Sequence, residues 1–319
     1  VRDEAFFSES EIVDGKAPSG APVEWVEEPS YFFNLSKWEQ KLLEFYESNK
    51  DFISPKSRRN EVISFVKSGL KDLSISRTSF SWGVKVPNDK NHIMYVWLDA
   101  LTNYLSACEY SNEKNDEVFK KFWPADIHMV GKDIIRFHAV YWPAFLMAAD
   151  LPLPKKVFAH GWWTNEGNKI SKSLGNAIDP IEIIDKYGLD QFRYFMLREV
   201  PFGNDGDFSI KALEGRINSD LANDLGNLCQ RSLSMAKKHL NNEIQCISLD
   251  GDELKILKSA IELNKDLTDM ATMQNISDYI KAVWELINIS NKYFNECEPW
   301  KIVKTDMSRF NKILFTTAE

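Results

Sequence analysis

The sequence predicts an α/β protein in which a sheet-containing region is followed by a helical bundle. Between residues 93 and 160, short apolar stretches alternate with helical stretches, an order that indicates a parallel sheet. Residues 93–99 are apolar on both faces, which is typical of a strand in a sheet covered on both sides. Beyond residue 207 apolar residues recur at helical spacing and no convincing strand follows, which predicts a bundle.

The elements can be assigned in chain order from periodicity and from turn residues. Two helices are predicted first, one from a Ser36 cap to Ser48 with Glu39 completing a capping box, and one beyond Pro55. The strands that follow are expected at 81–87, 93–99, 127–130 and 156–160, with helices at 100–110 and from Ile134 onward.

Composition places the chain among ordinary globular proteins. It has 319 residues, of which 44% are hydrophobic and 27% charged, so about two domains are expected. The net charge of −8 argues against non-specific, histone-like binding of nucleic acid, but it is compatible with recognition of folded RNA by a few side chains.

Cysteine spacing and hydropathy indicate a cytoplasmic, non-membrane protein. The four cysteines lie far apart, so we expect neither a disulfide framework nor a protein-bound zinc ion, nor any other protein-held metal. The most apolar stretch, 137–153, is interrupted by His138, Asp150 and prolines, and it is too short to span a bilayer.

A glycine- and lysine-rich loop at 158–176 has the composition of a polyphosphate site. Glycines let backbone amides approach a ligand, and Lys169 and Lys172 add flexible positive charges. Ser171 and Ser173 add hydroxyl donors, and a helix is expected to start near Asp179. The alternative is a solvated lysine turn.

The ends of the predicted strands suggest where a ligand binds. In open parallel sheets ligands bind beyond the carboxyl ends of the strands. Residues 97–100, 131–133 and 160–161 are three such ends, and we expect them to converge on one crevice.

Several segments together resemble the methionyl-tRNA synthetase family of class I aminoacyl-tRNA synthetases. The pentad 169–173 is similar to the KMSKS loop of that class, with Ile170 in the methionine position. The other matching segments, in the order of the family, are 95–100, 131–134, 137–138, 142–143, 160–161, 223–228 and 298–300. They extend over nearly the whole chain.

The resemblance implies the second half of a Rossmann-like parallel-sheet catalytic domain followed by an all-α anticodon-binding domain. The HIGH tetrapeptide of the family is absent from this sequence, which starts at Val1, so we expect a piece of a longer protein. The implied domains are the end of an inserted connective peptide at 1–30, the catalytic half at 31–207, and a helical domain at 208–319 that we expect to be truncated.

The resemblance also implies site residues. Lys169 and Lys172 would be catalytic. The ATP-binding set would be Gly131, Asp133, His160, Gly161, Ile170, Ser171 and Ser173. The methionine-binding set would be Trp97, Ala100, Tyr104, Asp133, Phe137, His138 and Trp142. The anticodon would be read by Asn227, Arg231 and Trp300.

Aromatic chemistry supports the methionine set, because ring edges suit a polarizable thioether. By the resemblance His138 would donate near the sulfur, and Asp133 would hold the substrate ammonium or ribose. The alternatives are a plain aromatic core, a satisfied core histidine and a helix N-cap. Residues 101–103 depart from many relatives, which carry a proline and a glycine there.

The helical part offers a second site. Asn223, Asn227 and Arg231 recur at i, i+4 and i+8, and amide and guanidinium groups pair with base edges, while Trp300 could stack on a base. The alternative is a solvated polar face.

The implied function is ligation of L-methionine to tRNA(Met) through methionyl-adenylate, with ATP and Mg²⁺ as substrate, by a cytoplasmic monomer. Two alternatives stay open: another class I synthetase, such as the leucine or cysteine enzyme, and a non-catalytic tRNA-binding module.

Overall fold

The computed structural model describes residues 12–17, 22–24, 28–110, 117–170 and 177–319. The chain divides into two compact units. The first comprises Val1–His128 and Asp133–Val157, and the second comprises Met129–Lys132 and Phe158–Glu319. Strands and helices alternate along the first part of the chain and helices follow, so the predicted α/β class is confirmed.

The first unit holds short strands interleaved with helices. Its elements are β1 (Phe32–Phe33), α1 (Glu39–Ser48), β2 (Ile53–Ser54), α2 (Lys56–Lys67), β3 (Leu73–Ser74), β4 (Ser76–Arg77), β5 (Lys85–Val86), β6 (Asp89–Met94), α3 (Val96–Ala107), α4 (Glu117–Phe122) and α5 (Trp142–Ala148). A π-helical turn at Phe137–Tyr141 runs directly into α5. β1 pairs antiparallel with β3, and β6 lies between β4 and β5.

The strand predicted at 93–99 is wrong beyond Met94. β6 pairs antiparallel with β4 and β5, and after the extended Tyr95 the chain turns into α3 at Val96. A short run of apolar residues is compatible with both a buried strand and a buried helix, so periodicity alone could not distinguish the two. Of the strand predicted at 81–87, only Lys85–Val86 forms a strand, and the Val84 carbonyl before it accepts from the Met94 amide at 2.7 Å.

The helix start predicted at Ser36 is also corrected. A 3₁₀ turn at Leu35–Trp38 precedes α1, and its cap is Asn34, whose Oδ1 accepts from the Lys37 amide at 3.2 Å. Glu39 does not complete a capping box, because its Oε2 accepts from the backbone amide of Leu70 at 3.0 Å. The helix predicted beyond Pro55 is confirmed as α2.

Strands β7 (His128–Gly131) and β8 (Val157–His160) each continue from one unit into the other along the chain. They are neighbours in one sheet, and the His128 amide donates to the Lys156 carbonyl at 2.8 Å. Within the first unit the Val157 amide donates to the Phe52 carbonyl at 2.7 Å. The strands predicted at 127–130 and 156–160 are therefore confirmed to within a residue or two.

The second unit is mainly helical. Its elements are β9 (Trp163–Asn165), β10 (Asn168–Lys169), α6 (Pro180–Tyr187), α7 (Leu189–Arg198), β11 (Gly206–Phe208), α8 (Ile210–Arg216), α9 (Asn227–His239), α10 (Gly251–Thr272), α11 (Ile276–Cys297), α12 (Pro299–Ile302) and α13 (Met307–Ala318). A π-helical stretch at Ile217–Gly226 joins α8 to α9. The predicted domain boundary after residue 207 falls within β11 and stays a prediction.

Each unit has a buried apolar core. In the first unit it is centred on Leu101 and Leu105 of α3 and on Trp142, Phe145 and Leu146 of α5. In the second unit Phe294, Phe310, Ile313 and Leu314 join α9, α11 and α13. No helix in the described part of the chain is long and apolar enough to cross a membrane.

Candidate functional site

Five of the residues predicted to bind methionine form one aromatic cluster in the first unit. We use "aromatic cluster" for Trp97, Tyr104, Phe137, His138 and Trp142. Trp97 and Phe137 stack face to face, with ring centroids 3.5 Å apart and planes 8° from parallel. Ala100 and Tyr104, which are also predicted to bind methionine, lie on α3 three and seven residues after Trp97. All three residues therefore share one helix face.

His138 is buried and hydrogen-bonded through both ring nitrogens. Its Nδ1 lies 3.0 Å from the carbonyl oxygen of Ile134, and its Nε2 lies 2.8 Å from the hydroxyl of Tyr104. Burial lowers the pKa of His138, so the ring is neutral at pH 7 and carries one proton. Because a carbonyl can only accept, that proton sits on Nδ1, and Tyr104 donates to Nε2.

This tautomer bears on the predicted role of His138. With Nδ1–H bonded to Ile134 and Nε2 accepting from Tyr104, the ring has no spare proton for a thioether. The hydroxyl oxygen of Tyr104 keeps acceptor capacity. Donation from His138 to a substrate sulfur therefore stays a prediction, and it needs the Tyr104 bond to rearrange.

A second histidine, His128 on β7, lies against the aromatic cluster. Its ring centroid is 4.3 Å from that of Tyr104 and 5.9 Å from that of His138. Burial and the nearby His138 lower the pKa of His128 to about 4. Within the described ranges its Nε2, like Nε1 of Trp142, is buried without a hydrogen-bond partner.

The predicted ATP-binding residues of the second unit follow the strand ends. Gly131 ends β7, His160 ends β8, and His160 Nδ1 lies 2.9 Å from the carbonyl oxygen of Gly161. Gly161 has no room for a side chain, because a Cβ there would lie 2.1 Å from the carbonyl oxygen of Asn204. Asp133 belongs to the first unit and lies in a short 3₁₀ turn, Lys132–Ile134.

Lys132, between two predicted ATP-binding residues, makes an ion pair that the sequence did not reveal. Its Nζ lies 2.5 Å from Oδ2 of Asp205 and 4.3 Å from the ring centroid of Trp162. The other oxygen of Asp205 accepts from the Trp162 backbone amide at 2.9 Å. The residues 160–162 and 131–132 are thus held by the segment around Asp205.

The lysine loop starts from a β-hairpin. β9 and β10 pair antiparallel, and Glu166 and Gly167, both with positive φ, form the turn between them. Lys169 ends β10 and Ile170 follows, whereas Ser171, Lys172 and Ser173 lie outside the described residues. The predicted helix start is confirmed, because Asp179 caps α6 by accepting from the Ile181 amide at 2.8 Å.

A polar pocket of about 430 Å³ lies in the helical part of the second unit. It is lined by Asn223, Asp224, Asn227, Arg231, Asn288, Asn291 and Asn295. Arg231 donates to Oδ1 of Asn295 at 2.7 Å and to Oδ1 of Asn291 at 3.0 Å. Trp300, in the short helix α12, is 44% exposed and does not line this pocket.

Comparison with known proteins decides the family. A family model described as tRNA synthetases class I (M) matches residues 7–233. The chain belongs to this family. The predicted resemblance is therefore confirmed.

Curated relatives of this class I synthetase family are longer than the chain. A methionine–tRNA ligase of Rickettsia conorii is 58% identical over 327 residues, covering 100% of this chain and 63% of that protein. A methionine–tRNA ligase of Rhizobium meliloti is 54% identical over 325 residues, with the same coverage of 100% and 63%. The chain thus spans about 63% of the length of these relatives.

A solved class I synthetase structure has the same fold. Methionyl-tRNA synthetase of Mycobacterium tuberculosis in complex with methionyl-adenylate matches with a TM-score of 0.93 and 51% sequence identity. The match covers 100% of this chain and 64% of that one.

Sequence reasoning missed one residue beside the aromatic cluster, His128, and placed Trp97 and Ala100 in the wrong local structure. His128 could have been noticed as a histidine inside an apolar strand, shortly before Gly131–Asp133. Residues 97–100 were expected at a strand end but lie in the first turns of α3. Convergence of the other strand ends on one crevice stays a prediction. The described ranges contain no group of three or more His, Cys, Asp or Glu placed to hold a metal ion.

Proposed function

We propose that the protein carrying this chain is a methionine–tRNA ligase, which activates L-methionine with ATP and transfers it to tRNA(Met). The observation that carries the proposal is the aromatic cluster, a compact set of rings that includes the neutral His138, in a member of this family. We further propose that ATP enters with Mg²⁺ as substrate and that the enzyme is a cytoplasmic monomer.

The aromatic cluster has the chemistry to select methionine. A thioether gains about 0.3–1.5 kcal/mol from each sulfur–ring contact, and a hydrophobic pocket discriminates by only about 1–3 kcal/mol per methylene. Several shaped contacts are therefore needed, and the cluster supplies five rings from α3 and from the helix at residues 137–142. Ala100, on the same helix face as Trp97, contributes only a methyl group there.

The first step joins methionine to the nucleotide. A carboxylate oxygen of methionine attacks the α-phosphorus of ATP, a new P–O bond forms, and the bond to the β-phosphate oxygen breaks to release pyrophosphate. Negative charge grows on the phosphate oxygens. We propose that Lys169 and Lys172 stabilise this charge, because cations placed near the phosphate oxygens bind the transition state more tightly than the ground state.

The second step transfers the amino acid to tRNA. A ribose hydroxyl of the terminal adenosine attacks the carbonyl carbon of the adenylate, and AMP leaves. We propose that Asn227, Arg231 and Trp300 read the anticodon, and that Gly131, Asp133, His160, Gly161, Ile170, Ser171 and Ser173 bind the nucleotide in the first step. The polar pocket lined by Asn227 and Arg231 supports the anticodon-reading role of these two residues.

Methionine-dependent exchange of pyrophosphate into ATP by the full-length protein tests the proposal. We expect exchange with methionine and none above background with leucine or cysteine. Lys172→Ala should lower kcat by about a hundredfold, equal to about 3 kcal/mol of transition-state stabilisation, and Lys169→Ala should lower it less.

Lys90, an exposed lysine on β6, provides a matched control, and Lys90→Ala should leave kcat unchanged. Exchange with leucine or cysteine instead of methionine would favour another class I synthetase. Tight tRNA(Met) binding without any exchange would favour the non-catalytic module.

A further inference from the structure

The hairpin β9–β10 brings the predicted catalytic Lys169 to the end of a very short strand. Each strand of the hairpin has two or three residues, and its turn residues Glu166 and Gly167 are exposed. A two-stranded hairpin of this size is marginally stable in water by itself. Its position therefore depends on what it is attached to.

The hairpin is attached to β11 along one side. β11 runs parallel to β9, with Asp207 opposite Thr164 and Phe208 opposite Asn165. The Glu166 amide donates to the Phe208 carbonyl at 3.2 Å. These are backbone links that many sequences could make.

The side chain of Asp207 adds two hydrogen bonds to the hairpin that require a carboxylate or amide oxygen at this position. Oδ1 of Asp207 accepts from the hydroxyl of Thr164 at 2.5 Å and from the backbone amide of Gly167 at 2.7 Å. The first bond fixes the strand that enters the turn, and the second fixes the turn. The two donors lower the pKa of the Asp207 carboxyl, so it is ionised at neutral pH and accepts strongly.

The segment that carries Asp207 is itself held tightly. A Cβ on Gly206 would lie 2.8 Å from Cγ2 of Val200 and 3.0 Å from the ring of Trp163, so only glycine fits there without displacement. The Gly206 amide donates to the Trp162 carbonyl at 2.8 Å. Asp205, one residue earlier, is paired with Lys132. Asp207 therefore extends from a segment that is fixed at the two preceding positions.

We infer that Asp207 is a positioning residue for the activation step: its carboxylate fixes the β9–β10 hairpin and thereby the backbone of Lys169. This inference rests on the proposed function, since it concerns the lysine that would stabilise the phosphates. Asp207 acts through Thr164 and Gly167 and needs no contact with substrate. Misplacing a catalytic group by about an ångström lowers the rate strongly, whereas the methionine affinity depends on the aromatic cluster.

The test is steady-state ATP–pyrophosphate exchange on full-length protein, together with hydrogen exchange of the Gly167 amide. Asp207→Ala removes both hydrogen bonds, and we expect kcat to fall roughly tenfold with KM for methionine unchanged. The Gly167 amide should exchange with deuterium at least about tenfold faster, because its acceptor is gone.

Asp207→Asn is the conservative variant, since its Oδ1 can accept both bonds without charge. It should keep kcat within about threefold of wild type and protect the Gly167 amide. Thr164→Val removes one of the two bonds, should give an intermediate kcat, and serves if Asp207→Ala does not fold. Asp190→Ala, at an exposed aspartate of α7, is the matched control and should change neither readout.

Two results would overturn the inference. One is a Gly167 amide that exchanges equally in wild type and Asp207→Ala while kcat stays within about twofold. The other is Asp207→Asn as slow as Asp207→Ala, which would assign the effect to charge and not to the hydrogen bonds. A wild-type protein without methionine-dependent exchange would instead contradict the proposed function, and the amide readout would still report on the hairpin.

Discussion

Tyr104 donates its hydroxyl proton to Nε2 of His138 across 2.8 Å, which ties α3 to the helix that begins at Phe137. Both residues belong to the predicted methionine site. The bond fixes the orientation of the imidazole, because Nδ1 is held at the same time by the Ile134 carbonyl. The Tyr104–His138 hydrogen bond therefore sets both the orientation of the imidazole and the packing of α3 against the helix that begins at Phe137.

Tyr104→Phe should destabilise the protein and weaken methionine binding. The change leaves Nε2 of the buried His138 without a donor, which costs about 1–3 kcal/mol. We expect a lower free energy of unfolding in urea and a higher KM for methionine in pyrophosphate exchange. Tyr110→Phe, at an exposed tyrosine, should change neither quantity. Equal behaviour of the two variants would contradict the assigned bond.

Acid should destabilise the fold through His128. Its pKa is lowered to about 4 in the folded state from an ordinary 6.5, so between these values the unfolded chain binds more protons. The free energy of unfolding should therefore fall as pH drops, by about 2 kcal/mol from about pH 7.5 to pH 5 and about 3 kcal/mol by about pH 4.

Urea unfolding at about pH 7.5 and pH 5 measures this loss. In His128→Gln the contribution of this residue should vanish, so the difference between the two pH values should shrink by about 2 kcal/mol. His138, whose pKa is also lowered by burial, stays in both proteins and accounts for part of the remainder. A variant with the wild-type pH dependence would show that His128 is not the responsible group.

Gly161→Ala should be destabilising although it adds only a methyl group. The new Cβ would lie 2.1 Å from the Asn204 carbonyl oxygen, so backbone must move, at a cost of about 1–3 kcal/mol. A Cβ on Gly215, in α8, would instead meet nothing within 4 Å outside its own helix. Gly215→Ala should therefore stabilise by about 0.5–1 kcal/mol. Thermal unfolding of both variants should give shifts of opposite sign.

Arg231→Ala should impair tRNA charging and spare amino-acid activation. The guanidinium is held by Asn291 and Asn295 at the polar pocket. In the proposed role it donates to an anticodon base, and a hydrogen bond from a charged group is worth about 1.5–3 kcal/mol. We expect KM for tRNA(Met) to rise roughly ten- to a hundredfold, with pyrophosphate exchange unchanged. Lys255→Ala, at an exposed lysine of α10, is the control. A parallel loss of exchange would place Arg231 in the structural framework instead.

Features that depend on neighbouring residues could be predicted from the sequence. Features that depend on contacts with distant parts of the chain could not. Asp179 and Pro180 specify the start of α6 locally, and the structure follows them. The run from Ile93 to Asp99 could be strand or helix, and pairing with β4 and β5 stops at Met94. Neither the Lys132–Asp205 ion pair nor the Asp207–Gly167 hydrogen bond has a signature in sequence, because the two partners are 73 and 40 residues apart along the chain.

The π-helical stretch between α8 and α9 has a geometric consequence for the polar pocket. A π turn accommodates more residues than an α turn, so every residue after Gly226 is rotated about the helix axis relative to a regular helix. Asn227 and Arg231, which follow this stretch, line the pocket together with Asn291 of α11. Inserting or deleting one residue between 217 and 226 would therefore change the azimuth of every side chain on α9 while leaving its composition untouched.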